Sequence, residues 1–130
     1  MAEFTSPYAR TLGLTLAREG GRLIVAMPPH DGLLGRPAYL HGGAISGLLD
    51  YAAWLTLADA LEPGVRIKPL SVGIDFLRGG RLIETLASAK VTRLGRRIAN
   101  VTATAWQEEE GKPVASANVK FVLERTADAN

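Results

Sequence analysis

The sequence predicts an α+β domain in which one long helix is wrapped by a curved antiparallel sheet. Three observations point that way. The stretch from Gly42 to about Leu61 has no proline, and Ala44, Ile45, Leu48, Ala52 and Leu55 recur along it at helical spacing. About four long segments of strand character follow in succession. Before the helix, Gly20-Gly21 separates two short apolar runs as a hairpin turn would. A single antiparallel sheet must cover its apolar face with something, and here the long helix is the available cover.

Taken in order, Ser6-Pro7 followed by Tyr8-Ala9-Arg10 reads as a short capped helix over about residues 5–11, with proline just inside its start. Leu12, Leu14 and Leu16 alternate with small or polar residues, which predicts a half-buried strand, and Arg22 to Met27 is the returning strand. Residues Pro28 to Leu40 hold Pro28, Pro29, Pro37, Gly32 and Gly35 and read as an irregular loop. The central helix, about 42–61, spans roughly 30 Å. It is apolar nearly all round, with Gly43, Ser46, Gly47, Asp50, Trp54 and Leu57 opposite the main stripe, so it is expected to be covered by the rest of the fold. Asp50 is then the anomaly, because a carboxylate among Leu48, Leu49, Ala52 and Ala53 is costly to bury and such residues tend to mark sites.

Glu62-Pro63-Gly64 stops the helix. Val65 to Leu77 is strand-like but broken by Pro69, which predicts an edge or a bulge, and Val72, Ile74 and Phe76 alternate beyond it. Leu82 to Arg93, closed by Leu94-Gly95, is the next strand, then Arg97 to Glu108. Glu109-Glu110-Gly111-Lys112 makes a polar turn, Val114 to Leu123 is the last strand, and residues 126–130 read as a frayed tail.

Residues 1–130 suit a single domain able to bury most of its apolar surface without a metal or disulfide. The absence of cysteine excludes disulfides, thiol catalysis and cysteine-ligated zinc. A net charge of +2 and a pI near 9.2 give no argument for nucleic acid, although local arginines could hold a phosphorylated ligand. The N-terminus lacks the pattern of a signal peptide, and Asp50 and Asp59 make the long helix a poor membrane span. A cytoplasmic protein with no membrane partner is the expectation. An exposed sheet edge favours a dimer.

His41-Gly42-Gly43 ahead of the long helix, with Asp50 nine positions after the histidine, resembles the hotdog-fold acyl-CoA thioesterases of the PaaI-like, phenylacetate-pathway type. Ile74-Asp75-Phe76-Leu77-Arg78 and Arg93-Leu94-Gly95-Arg96-Arg97 look like that family's strand and hairpin in the expected order. The resemblance covers roughly residues 10–124 and implies a hotdog fold, a homodimer whose sheets join edge to edge, possibly a homotetramer, and active sites at the dimer interface. It implies catalytic roles for three residues. Asp50 would be general base or nucleophile, the Gly42 amide the oxyanion hole, and His41 a residue that positions the thioester. Substrate contacts are expected for Gly43, Ser46 (which could also steady the Asp50 carboxylate), Trp54, Ser71 (the hydroxyl nearest a Ser or Thr that the family often carries there), Arg78, Arg93, Arg96 and Arg97, with coenzyme A as part of the substrate and no metal or redox cofactor. Where the family commonly carries Asn or Gln, this chain has Gly35 and Arg36, and Arg36 could bind substrate instead.

Elementary chemistry suits these roles. Thioester hydrolysis builds charge on the carbonyl oxygen, and helix-start amides aimed at it are preorganised to stabilise it. Gly42 and Asp50 lie about 12 Å apart along one helix, too far to meet one carbonyl, and the resemblance implies that the two groups come from opposite subunits of the dimer. Plainer readings stand beside each role: His41 as a cap, Gly42-Gly43 as close packing, Asp50 as a satisfied structural carboxylate, Ser46 as filler, the arginines as a solvated surface. Tyr51, Trp54 and Leu57 would make an apolar acyl pocket for an aryl or medium chain, or Tyr51 and Trp54 would be interface aromatics. A hotdog module that binds acyl-CoA or a protein partner without turnover is the alternative function, and a hydratase or dehydratase a third.

Overall fold

The computed structural model describes residues 6–125. Helix α1 (Pro7–Leu12) ends at Gly13, whose left-handed φ of 77° closes the helix through bonds to Ala9 and Arg10 carbonyls. Strands β1 (Thr15–Glu19) and β2 (Arg22–Met27) form a hairpin about Gly20 and Gly21, both with positive φ. A 3-10 turn (Asp31–Leu33) and a two-stranded ribbon, β3 (Leu34–Arg36) with β4 (Tyr39–Leu40), lead into α2 (Gly42–Ala60). Then come β5 (Arg66–Phe76), β6 (Thr85–Leu94), β7 (Ile98–Trp106) and β8 (Ala115–Glu124).

The six long strands form one antiparallel sheet in the order β1-β2-β6-β7-β8-β5. The strand that follows α2 thus pairs at the far edge, and α2 lies across the inner face between the two ends of the sheet. Inward positions along β7 and β8 alternate with outward ones, and many are alanine: Ala99, Ala103, Ala105, Ala115 and Ala117 are all buried. These small side chains let α2 approach the sheet closely, while Val25, Met27, Val101, Val119 and Phe121 fill the space around it. Bulges at Val91/Arg93 and Pro69/Ser71 help the sheet curl. This is the hotdog architecture, one helix wrapped by one curved sheet.

Several boundaries differ from the sequence reading. Leu12 belongs to α1 and the strand begins only at Thr15, because Gly13 turns the chain between them. Residues 28–40 hold a 3-10 turn and a ribbon whose tip carries Ala38 at φ 71°, a strained conformation for a residue with a Cβ. The expected start of α1 at residue 5 and the tail at 126–130 lie outside the described residues.

The larger correction concerns α2. It was expected to be covered all round, with Asp50 buried. In the chain by itself the Ala44, Ile45, Leu48, Ala52 and Leu55 stripe is buried as expected, but Asp50 and Trp54 stand exposed. Gly47 and Leu57, placed on the same open side, are instead buried, Gly47 beneath α1. The edge strand β5 is uncovered too: Leu70, Val72 and Phe76, and Leu77 just past its end, each keep more than half their surface exposed. Pro69 sits on this edge, where its missing N–H costs little.

Phe121, 1% exposed, is the largest fully buried side chain of the core. Phe121→Ala should lower unfolding free energy by about 3–5 kcal/mol in urea titrations. A loss below about 1 kcal/mol would contradict the packing described.

Candidate active site

The start of α2 is shaped by its cap. His41 has an extended backbone. Its carbonyl accepts from the Ala44 and Ile45 amides at 3.0 and 3.3 Å, and its Nδ1 accepts from the Gly43 amide at 2.8 Å. Three of the four amides that open the helix are therefore satisfied, and among the described residues only the Gly42 amide there has no recorded acceptor. It stays at the positive end of the helix dipole.

Glycines around this turn are needed for close approach. A Cβ on Gly35 would stand 2.9 Å from the His41 Cα, and one on Gly43 would stand 2.9 Å from the His41 Nδ1. The His41 amide donates to the Leu33 carbonyl at 2.8 Å, locking the ribbon onto the helix start. Phe76, at the end of β5, lies against Gly42, with Cζ 3.4 Å from where a Cβ would be. Gly42 therefore lies at the meeting of α2 and the open edge of the sheet.

One turn on, the Ser46 hydroxyl donates to the Gly42 carbonyl at 2.8 Å, so its proton is spent on its own helix and not on Asp50. Asp50 follows on the same face, and Trp54, 41% exposed, a turn later. The apolar surroundings strip water from the Asp50 carboxylate and hold its pKa above the ordinary 3.8, with no charged neighbour contributing. A half-dehydrated, unpaired carboxylate is poised to take a proton or to attack an electrophile. Val72 and Phe76 of β5 share the sheet face of the buried Val119 and Ala115, and so project on the same side as α2. Asp50 and Gly42 remain at separate points along α2, about 12 Å apart, as the helical rise requires.

The basic residues are scattered. Arg36 lies over the Tyr39 ring, 4.3 Å from its centroid, at the ribbon. Ser71 follows the bulge on β5, opposite Lys120, on the outer side of the sheet. Arg78 borders a cleft of about 350 Å³ with Arg81, Gln107 and Lys112. Arg81 is paired with Glu108 there, and Lys112 with Glu109. Arg93, Arg96 and Arg97 lie on the β6–β7 hairpin at the other end of the strands. Ile98 pairs with Val122, which pairs with Lys68, whereas Arg78 follows the Phe76–Ala115 pair. Eight strand residues, roughly 26 Å, separate the two ends. One chain therefore does not gather these arginines into one site.

The sequence reading named His41, Gly42, Gly43, Ser46, Asp50 and Trp54; Gly43, Ser46, Asp50 and Trp54 lie along one side of α2, with His41 and Gly42 at its start. It missed Phe76 as the neighbour of Gly42, and Tyr8, which lies across α2 beside Gly43. Alternation placed Phe76 on a strand face but could not tell which helix turn it meets, and no local pattern reports where a six-residue helix docks.

The family model described as the thioesterase superfamily matches residues 38–114, from the ribbon through α2 to the threshold of β8. No curated protein matches. Among solved structures, a protein from Chromobacterium violaceum is 34% identical, with 94% of this chain and 86% of that one covered and a TM-score of 0.76. A phenylacetic acid degradation-related protein from Ralstonia eutropha JMP134 is 27% identical, with 92% of each chain covered and a TM-score of 0.81. A protein from Bacillus halodurans, solved with CoA, is 22% identical, covers 95% of this chain and 82% of its own, and has a TM-score of 0.86, a likeness of fold. The resemblance carried by His41-Gly42-Gly43 and Asp50 is thereby borne out at the level of family. With more than half of its length matched and the hotdog architecture in place, this chain belongs to the thioesterase superfamily and is a thioester hydrolase.

Proposed function

We propose that the chain acts as a homodimer hydrolysing an aryl- or medium-chain acyl-CoA, with Asp50 of one subunit and the Gly42 amide of the other meeting at one thioester. The observation that carries this reading is the open face of α2: a partly desolvated carboxylate beside an uncovered sheet edge, and a helix-start amide, both without a partner among the described residues. Pairing β5 with its twin about a two-fold axis would bury Leu70, Val72, Phe76 and Leu77 and remove an exposed edge. Antiparallel pairing of this kind also sets the Phe76 end of one strand beside the Arg66 end of the other. Arg78 of one subunit then approaches the Arg93, Arg96 and Arg97 hairpin of its twin, which suits the phosphates of coenzyme A. The outer sheet face, which no described element covers, is where a second dimer would add. A cytoplasmic location, where acyl-CoA esters are available, is part of the same proposal.

In the reaction, Asp50 takes the proton of an attacking water, or attacks the carbonyl carbon itself to form an anhydride that water then opens. The carbonyl oxygen gains the electron pair and is held by the Gly42 amide. The C–S bond breaks as the intermediate collapses, and the coenzyme A thiolate leaves to be protonated. Trp54 is exposed on that face to border the acyl group and Tyr51 is half-buried beside Tyr8, whereas Leu57 is fully buried and takes no part. His41 acts by capping: it occupies the Gly43 amide and leaves Gly42's free.

Asp50→Asn should lower kcat/KM by about 10²–10⁴-fold on whichever acyl-CoA the wild type hydrolyses. The base must be ionised, so wild-type kcat/KM should fall as pH drops through the raised Asp50 pKa, with its acid limb above 3.8. Stability runs the other way. A folded-state pKa raised above the unfolded value means that the native state holds the proton more tightly, so stability is lost as pH rises from about 3.8 through the folded pKa. Asp50→Asn escapes that loss and should melt higher than wild type at pH 7, with the gain vanishing near pH 3. Equal rates for the two proteins would remove Asp50 from the mechanism.

The amide can be tested by substitution as well. Position 42 is the first helical residue, where proline fits, and His41 at φ −66°, ψ 137° already has the backbone that precedes proline. Gly42→Pro removes the N–H in question and puts the ring Cδ in its place, while its Cβ would stand 3.4 Å from the Phe76 Cζ. It should retain the fold by circular dichroism and lose about 10²–10³-fold in kcat. Unchanged kcat would exclude this amide as the oxyanion donor.

A further inference from the structure

Helix α1 lies beside the reacting face. It crosses α2 at Gly47, where a Cβ would stand 2.8 Å from Leu12 Cδ1 and 2.9 Å from Tyr8 Cε2. Tyr8 Oη donates to the Gly43 carbonyl at 3.3 Å. The Tyr8 and Tyr51 rings are 6.5 Å apart at a 34° tilt, and the Ser6 and Tyr51 hydroxyls bond at 2.5 Å. Tyr8 thus lies along the ridge Gly43, Gly47, Tyr51. Asp50 is three residues past Gly47, so the two are immediate neighbours on the helix surface. Tyr8 keeps 49% of its surface exposed at the border of the open face that carries Asp50 and Trp54.

We propose that Tyr8 is a specificity-determining residue: its ring is the wall that limits the acyl group held beside Asp50. This rests on the thioesterase reading above. The ring is held by one long hydrogen bond and by seating on a glycine, not by burial in the sheet core. A short or planar acyl group fits against such a wall, and a longer chain has to displace α1. Gly47 belongs to the same device, since any larger residue would lift α1 off the ridge.

The test is kcat/KM across straight-chain acyl-CoA esters from acetyl to palmitoyl, with benzoyl- and phenylacetyl-CoA alongside. The proteins are the wild type, Tyr8→Ala, Tyr8→Phe, Tyr8→Trp and Gly47→Ala. Tyr8→Ala should raise the ratio of long-chain to short-chain kcat/KM by about tenfold or more, since a single methylene in an apolar pocket is worth about 10–200-fold. Gly47→Ala should move the ratio the same way, Tyr8→Trp the opposite way, and Tyr8→Phe, which keeps the ring, should leave it near the wild-type value. Should Tyr8→Ala fail to fold, the Phe and Trp variants still decide the matter. Rates that fall by one common factor on every ester, leaving the ratios fixed, would reduce Tyr8 to a packing residue and overturn the proposal. That result would leave the thioesterase reading intact if Asp50→Asn still abolished turnover. A wild type that hydrolyses no ester on the panel would sink both.

Discussion

A sheet has one inner face to offer a helix, and in this chain that face cannot reach all the way round α2. The uncovered side carries Asp50 and Trp54 and runs beside an edge strand whose Leu70, Val72, Phe76 and Leu77 are mostly in solvent. Neither feature is a comfortable endpoint for an isolated domain. An unpaired edge invites another strand, and apolar side chains beside it supply the adhesive. The reading of the site follows from that constraint. Whatever surface covers β5 also walls in the carboxylate, and the most economical cover is a second copy of the same edge.

The same constraint accounts for an otherwise awkward separation. The helical rise puts about 12 Å between the free amide at Gly42 and the carboxylate at Asp50, and roughly 26 Å lie between Arg78 and the hairpin arginines. Each gap closes if a two-fold axis passes near the middle of β5, because opposite ends of the two subunits then become neighbours. In such a dimer each chain would carry half of each arrangement at either end. Within one subunit, His41 Nδ1 is the acceptor that occupies the Gly43 amide.

Much of this was legible in the residues. The proline-free run from Gly42 and the alternation in the last four strands fix the helix, the strands and the buried stripe, because both periods are properties of the backbone. Pro69 announced an edge, since a proline removes a ladder hydrogen bond that only an edge can spare. What the sequence could not convey was how far the sheet reaches around the helix. Asp50 and Leu57 stand on neighbouring parts of one helical face, yet one is exposed and the other sealed, a difference that helical spacing does not decide. The first helix was foreseen but its docking on Gly47 was not, because that contact joins residues far apart in the chain. Family resemblance supplied the roles of Asp50 and Gly42; the free amide and the raised pKa are what the geometry adds to them.

The claim that one active site draws on two chains is tested most directly by mixing two inactive variants. Asp50→Ala and Gly42→Pro are each purified, combined in equal amounts and allowed to exchange subunits, and thioesterase activity is followed as mixed dimers form. In a mixed dimer one site has lost both groups and the other has kept both, so random exchange should restore about a quarter of wild-type activity from two nearly inactive proteins. If the mixture, shown to contain mixed dimers, stays as inactive as its components, the two groups do not meet across the interface and the account is wrong.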